Sequence, residues 1–454
     1  MRYFDVVVIG GGPGGVHAGT MLSRTGKSVA LIQEDPDSLG GTCLNRGCMP
    51  TKSLLKAASV YRHARESAKY GLDILAQPVD LQRLLAVVDA DLGKLRAMMQ
   101  GMVAQAQITV LRGRGSFLSD HDVSISKADG STEVVRGETI IIATGSQSVE
   151  LPFAPFDGQY ILSSDQILRN TELPEKLLIV GGGAMGCEFA TLYNTFGSEV
   201  ILVEGMDTLL PREDQEAGKV LQATFEDQGI TVRTGTVIEK VMVEARKITV
   251  QYRHGDTVDT VDKVLVSVGR KPNIDGLNLD AAGVETSRGA VKVNAVMQTS
   301  VPHIYALGDA IGGLMLAHAA EKEGQLLARN LSQGTSHPLE EDAVPRVVFC
   351  SPEVAAVGAN ATKPGIRTFT MPQVPNGRTV VDKVPAAFVK LFVEEDTAAV
   401  AGAIIVGEAA TEMIHEMALA VENRLTLEHV AKTVHAHPTH SKNLVQAVHS
   451  FLMQ

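Results

Sequence analysis

The stretch Val6-Val7-Val8-Ile9-Gly10-Gly11-Gly12-Pro13-Gly14-Gly15 decides how this chain is read. A short apolar run of this kind suits a strand buried on both faces. The G-x-G-x-x-G that follows it opens a helix whose N-terminus and neighbouring backbone N–H groups can receive a pyrophosphate. One such loop alone is a weak signal, since a tight turn has the same glycines. Here the pattern returns 171 residues later (Gly10 to Gly181) as Leu177-Leu178-Ile179-Val180-Gly181-Gly182-Gly183-Ala184-Met185-Gly186. A second apolar run follows each copy, Ser28 to Ile32 and Glu199 to Val203. Two mononucleotide-binding βαβ units in one chain are therefore expected, with Gly10, Gly12 and Gly15 cradling one nucleotide and Gly181, Gly183 and Gly186 the other.

An acidic residue at the end of the second strand of such a unit accepts the hydroxyls of the adenosine ribose. In the second copy that residue is Glu204, 23 positions after Gly181, and no basic residue stands there. A carboxylate repels a 2′-phosphate, so NAD is expected rather than NADP. The same count from Gly10 reaches Gln33, with Glu34 next. Either Gln33 makes the ribose contact or a one-residue bulge brings Glu34 to it.

Working outward, each unit has a later strand that ends in glycine: Thr139 to Ala143 before Thr144-Gly145, and Lys263 to Val268 before Gly269. Val301 to Asp309 is one more strand and turn without a glycine loop of its own. From Val344 the character changes. Val344 to Val357, Ala387 to Glu394 and Ala401 to Val406 read as strands, and Ala409 to Asn423 and Leu427 to Val434 as helices. Asp80 to Gln107 carries a helical period. The expected fold is α/β, with two Rossmann-like nucleotide-binding domains and an α+β C-terminal domain. The expected segments are 1–146 for the first unit, 147–270 for the second, 271–343 for a return to the first, and 344–454 for the C-terminal domain.

With 41 Lys and Arg against 52 Asp and Glu, the net charge of −11 argues against a nucleic-acid or anionic-membrane surface. No apolar stretch approaches the ~18 residues of a membrane helix, and the N-terminal run lacks the features of a secretory signal. A cytoplasmic, reducing location is expected. Four cysteines in 454 residues are no disulfide scaffold, yet Cys43 and Cys48 stand only five apart in Gly40-Gly41-Thr42-Cys43-Leu44-Asn45-Arg46-Gly47-Cys48-Met49-Pro50-Thr51-Lys52. A structural zinc site needs four ligands, and neither Cys187 nor Cys350 has a partner at ligand spacing, so no metal is expected. On an ideal helix, Cα atoms five residues apart lie roughly 8 Å from each other, beyond disulfide reach. If the two cysteines are to bond, the segment must be distorted, and Gly47 and Pro50 allow that. A helix N-terminus beside them would stabilise the reactive thiolate.

This segment, following a G-x-G-x-x-G near the chain start, resembles the redox-active disulfide of the class I pyridine nucleotide-disulfide oxidoreductases. The resemblance covers essentially the whole chain. Ala143-Thr144-Gly145-Ser146, Gly181 to Glu188, Val268 to Asn273, Thr299 to Ala310, Met315 to Ala320 and His435-Ala436-His437-Pro438-Thr439 match further family motifs in order. Within the family the dihydrolipoamide dehydrogenases are most similar.

The resemblance implies FAD on the first glycine loop, with Asp309 on its ribitol chain and Thr42, Thr144, Gly145, Leu316, Ala317 and His318 also among its contacts. NAD would occupy the second loop, with Gly269 beside it. Cys48 would be the charge-transfer thiol next to the flavin and Cys43 the interchange thiol that meets substrate. Lys52, paired with Glu188, would stabilise the reduced flavin near its N5. His437, supplied by the partner of a homodimer, would be the base that removes the substrate's thiol proton. Electrons would run from a dihydrolipoyl dithiol on a carrier protein, through the Cys43–Cys48 disulfide and FAD, to NAD. That carrier could be a 2-oxoacid dehydrogenase core, a glycine-cleavage carrier or another lipoate-binding protein.

One position departs from the family. Five residues after the base the family has a glutamate that orients the imidazole, and this chain has Lys442. A cation about 4 Å from an imidazolium disfavours it by roughly 4 kcal/mol at an effective dielectric near 20. Either Lys442 turns to solvent or the base is weakened, and turnover with dihydrolipoamide is expected to be lowered or shifted in pH. Two alternatives accompany this reading: an NAD(P)H-dependent reductase of another low-molecular-weight or protein disulfide, and a catalytically weak FAD-binding scaffold of a lipoyl-protein assembly.

Overall fold

The computed structural model describes residues 1–244, 246–253, 258–359, 363–371 and 374–454. In it, Val6 to Ile9 form the buried half of the strand Arg2–Ile9, each residue 3% exposed or less. The chain divides into two units, each closed around its own nucleotide-type sheet. The first comprises Met1–Thr51, Arg83–Val149 and Arg270–Leu339. There, Arg2–Ile9 lies between two parallel neighbours, Val29–Gln33 and Thr132–Ile142, with Val7 opposite both Ala30 and Ile140. Apolar neighbours on both sides and both faces explain why the run is uniformly Val and Ile rather than alternating. The 11-residue strand Thr132–Ile142 serves two partners along its other edge. Asp122–Ser126 runs antiparallel along its first half and Ile304–Ala306 parallel along its last three residues.

The turn after the first strand needs glycine at its start. Gly10 has φ +111°, and a Cβ on it would collide with the Ala143 carbonyl. Gly14, in the helix Pro13–Arg24, and Gly324, in the helix Ala317–Gln333, let these two helices touch through their backbones. The helical period read at 80–107 is the 25-residue helix Leu81–Gln105.

The second unit comprises Lys52–Gln82, Glu150–Gly269 and Glu340–Gln454. Its parallel sheet has five strands in the order Thr231–Arg233, Glu199–Val203, Lys176–Val180, Lys263–Val266, Ile161–Ser163. A separate antiparallel sheet runs in the order Arg346–Val348, Glu353–Gly358, Val400–Gly407, Phe388–Glu394, Ile366–Met371. The helices Ala410–Glu422, Leu427–Lys432 and Ser441–Leu452 share its core, in which Val389, Leu391, Ile405, Ile414, Met417 and Leu444 are wholly buried. The chain is thus α/β with an α+β C-terminal portion, as read from its sequence.

Local differences have local causes. The run Val344 to Val357 is two strands rather than one. Pro352 lies in the break between them and has no N–H to carry the ladder on. The short helix Gly377–Asp382 and the C-terminal helix Ser441–Leu452 had no sequence expectation. Among the described residues, no helix is long and apolar enough to cross a membrane.

Candidate active site

The two glycine loops have the same construction. Gly10 and Gly181 make the turn at positive φ, and a Cβ on Gly15 or Gly186 would strike the carbonyl of Gly10 or Gly181 respectively. Gly12 and Gly183, by contrast, would send a Cβ into open space. That opening, at the N-cap of each helix, is where a pyrophosphate fits. The residue ending the second strand folds back on each loop. Gln33 Oε1 accepts from the Gly11 N–H at 2.8 Å, and Glu204 Oε2 accepts from the Gly182 N–H at 2.7 Å. Glu204 Oε1 also accepts from the Met206 N–H at 2.8 Å. Glu34 is not brought to the loop. Successive side chains point to opposite sides, and its exposed carboxylate pairs with Arg114 at 3.2 Å.

The first unit gathers the other residues expected around its loop. The Ser146 hydroxyl donates to the Asp309 carboxylate, and Arg270 fixes Ser146 through Nε to its hydroxyl (2.7 Å) and Nη2 to its carbonyl (2.9 Å). Thr144, next to Gly10, has its hydroxyl buried with no hydrogen-bond partner among the described residues. Leu316, Ala317 and His318 open the helix Ala317–Gln333, whose N-cap offers no side-chain hydrogen bond. An orphaned hydroxyl, an uncapped helix start and an open glycine cradle fit a bound dinucleotide.

In the same unit, the cysteine segment is not one helix. The helix Gly41–Arg46 carries Cys43 and stops at Gly47 (φ −146°, ψ −109°), and an 18-residue helix then starts at Cys48. Both cysteines are half-buried. Cys48 thus sits where the helix dipole favours a thiolate. Asn45, between the two cysteines, ties the segment down. Its Nδ2 donates to the carbonyls of Ser38 (3.0 Å), Leu39 (3.2 Å) and Gly41 (2.9 Å), while its Oδ1 accepts from Arg96 Nε at 3.1 Å.

Within the second unit, Lys52 Nζ reaches both carboxylate oxygens of Glu188 at 2.8 Å. Glu188 is 3% exposed and also accepts the Phe349 N–H at 3.0 Å, and the Phe349 ring lies 4.7 Å from the ammonium. Lys52 is therefore a held cation rather than a solvated helix residue. Cys187 and Cys350 are buried in this unit, and burial pushes both thiols up, which suits packing and not thiolate chemistry. Gly181, Gly183, Gly186, Glu204 and Gly269 also belong to this unit.

His437 lies in the stretch between the helices Leu427–Lys432 and Ser441–Leu452, exposed and without a hydrogen bond among the described residues. Lys442 is half-buried in the first turn of the later helix.

A model of the pyridine nucleotide-disulphide oxidoreductases matches residues 4–324, and a model of their dimerisation domain matches 344–448. The chain belongs to the pyridine nucleotide-disulphide oxidoreductases. Among curated relatives, a dihydrolipoyl dehydrogenase of Bacillus subtilis is 36% identical over 98% of this chain and 97% of its own. The leghemoglobin reductase of Vigna unguiculata is 37% identical over 98% of this chain and 86% of its own. Among solved structures, LpdA from Mycobacterium tuberculosis superposes with a TM-score of 0.91 at 28% identity, covering 99% of this chain and 100% of that one. The HOCl-induced flavoprotein disulfide reductase RclA from Escherichia coli, in its Cu(II) complex, gives 0.88 at 26% identity, covering 99% and 100%.

This oxidoreductase is accordingly an enzyme of the dihydrolipoyl dehydrogenase kind that uses FAD and NAD and forms a homodimer through its C-terminal domain. Asn45 braces the cysteine segment without a sequence signal of its own, because its partners, three backbone carbonyls and Arg96 51 residues away, are set by the fold. A second feature without a motif is the group Asp120, His121 and His303, whose possible ligand atoms lie within 4.8 Å of one another. The two imidazoles are stacked 3.9 Å apart at 4°, and His121 Nδ1 and His303 Nε2 meet the carbonyls of Gly137 (2.7 Å) and Asp120 (3.0 Å). Parallel rings cannot both aim lone pairs at one ion without a ring turning, so the geometry favours hydrogen bonding over coordination.

Proposed function

We propose that this enzyme oxidises a dihydrolipoyl dithiol on a carrier protein and passes the electrons to NAD, in the cytoplasm. The observation that carries the reading is the break at Gly47, which leaves Cys43 on a short helix and Cys48 at the N-terminus of a long one.

In the direction of dithiol oxidation, a substrate thiolate attacks Cys43 Sγ of the Cys43–Cys48 disulfide. Cys48 Sγ leaves as a thiolate, which the helix N-terminus stabilises. His437 of the partner subunit takes the substrate's thiol proton. The second substrate sulfur then displaces Cys43, so lipoyl disulfide departs, two cysteine thiols remain and two electrons are stored in them. Bound FAD supplies the two-electron relay from this dithiol to the nicotinamide of NAD. Lys52, held by Glu188, keeps a fixed positive charge one helical turn after Cys48. Gln33, Thr144, Asp309 and the helix start at Leu316 to His318 would hold FAD, and Glu204 the NAD ribose. The expected segments 1–146, 147–270, 271–343 and 344–454 are the division we propose for the working enzyme.

Thiol counting tests this. After one equivalent of NADH added anaerobically to the holoenzyme, alkylation should map two newly reactive thiols to Cys43 and Cys48, and NADPH should give none. Dihydrolipoamide should open the same two thiols and, with NAD present, yield one NADH per dithiol. A holoenzyme that reacts with NADH without opening these thiols would overturn the reading.

A further inference from the structure

The aim of His437 must be set through the backbone that carries it, since its ring has no hydrogen bond among the described residues. The expected orienting acid is absent, and Lys442 in its place has no carboxylate partner among the described residues. Other contacts pin the segment on both sides of the base. Upstream, His435 Nε2 meets Glu416 Oε1 at 2.7 Å and its Nδ1 meets the Thr433 carbonyl at 2.8 Å. Downstream, His440 Nε2–H donates to Asp382 Oδ2 at 2.9 Å. Both imidazoles are largely buried, at 8% and 12% exposure.

Asp382 is itself held from two further sides, by Arg378 Nε on its carboxylate (2.6 Å) and by the Tyr70 hydroxyl on its carbonyl (2.6 Å). It ends the helix Gly377–Asp382, and the start of that same helix lies under the base. A Cβ added to Gly377 would sit 3.9 Å from His437 Cε1. The helix's N-cap, Asn376, donates from Nδ2 to Oδ1 of the wholly buried Asn443 at 2.7 Å, three residues beyond His440.

We propose that His440, through Asp382, is the positioning residue for His437, and that the helix Gly377–Asp382 is the platform that sets the base where an acid at 442 is missing. The proposal rests on the reading of His437 as the base. It places orientation in a contact on the base's own backbone segment and not on its ring.

The test compares holoenzyme carrying His440→Leu, His440→Gln, Asp382→Asn and His437→Ala, in dihydrolipoamide oxidation by NAD and in NADH oxidation by ferricyanide. The second reaction needs no proton from a thiol. His440→Leu should lower kcat with dihydrolipoamide by about 10- to 100-fold, the scale of a small misplacement of a reacting group, with its KM and the ferricyanide rate unchanged. His440→Gln, whose amide can still donate to Asp382, should recover most of the loss, and His440→Leu should add nothing in a His437→Ala background. Asp382→Asn should repeat the loss if His440→Leu does not fold. A His440→Leu enzyme at full rate while His437→Ala collapses overturns this proposal alone, as does a loss shared equally by the ferricyanide reaction. His437→Ala at full rate overturns the base reading and this proposal with it.

Discussion

Gln33 and Glu204 occupy the same place in the two nucleotide units, each side chain closing on the second glycine of its loop, at 2.8 Å to the Gly11 N–H and 2.7 Å to the Gly182 N–H. They differ in charge. A hydrogen bond to a carboxylate is roughly twice as strong as one to a neutral amide. Glu204→Gln should therefore weaken NAD binding and narrow the preference for NADH over NADPH. Gln33→Glu should slow FAD loss by up to about tenfold, or ~1.4 kcal/mol. Coenzyme kcat/KM and the FAD release rate measure the two effects, and an unaltered NADH to NADPH ratio in Glu204→Gln would reject the ribose role.

Removing one member of a buried ion pair leaves the other uncompensated. Lys52→Met would strand Glu188, which is 3% exposed, and should cost about 3 to 5 kcal/mol in urea unfolding as well as most dihydrolipoamide turnover. Glu188→Gln keeps an acceptor for the Phe349 N–H and leaves a cation that reaches solvent, so its stability loss should be the smaller of the two. The reverse order would contradict the pairing.

Lys442 stands in the first helical turn, where the helix dipole disfavours a cation. Lys442→Glu should raise stability by up to about 1 kcal/mol and raise the dihydrolipoamide rate where the base must carry its proton. Rate–pH profiles of the two enzymes decide it. If the variant gains nothing at any pH, Lys442 has no influence on the base.

Glu353, at the start of a strand in the C-terminal sheet, has its carboxyl pushed above the ordinary range by burial, against hydrogen bonds from the Thr411 N–H (3.0 Å) and hydroxyl (2.8 Å). The fold therefore favours its protonated form. Its contribution is favourable below the unfolded value of 4.5 and is lost as pH rises through the higher folded value. Glu353→Gln retains an oxygen for both Thr411 donors, so it should raise Tm at pH 7.5 and leave it nearly unaltered at pH 4. A lower Tm at pH 7.5 would show that the ionised form is the stabilised one.

Much of the fold was legible because its signals are short-range. An apolar run followed by G-x-G-x-x-G needs only neighbouring residues to make a strand, a turn and a helix start, and it occurs twice. Strand alternation likewise separates Gln33 from Glu34 once the strand's end is located. The run at Val344 to Val357 misled because two apolar stretches, Val347 to Cys350 and Val354 to Val357, stand close together, and the break between their strands is marked only by the short Ser351-Pro352-Glu353. The helix Ser441–Leu452 escaped notice because its first residues are polar, while its buried face packs on a sheet from another part of the chain.

The sequence by itself determined the two nucleotide cradles, the spacing of Cys43 and Cys48, the acid at Glu204 and the missing acid at 442, because each is a residue type at a fixed distance along the chain. Tertiary structure decided what holds those residues. Lys52 finds Glu188 across 136 residues, Ser146 finds Asp309 across 163, and the segment of His437 finds Asp382 across 58. Such partners are chosen by how sheets and helices pack, and burial then makes each pairing obligatory, because a charge or donor removed from water must be met by another group.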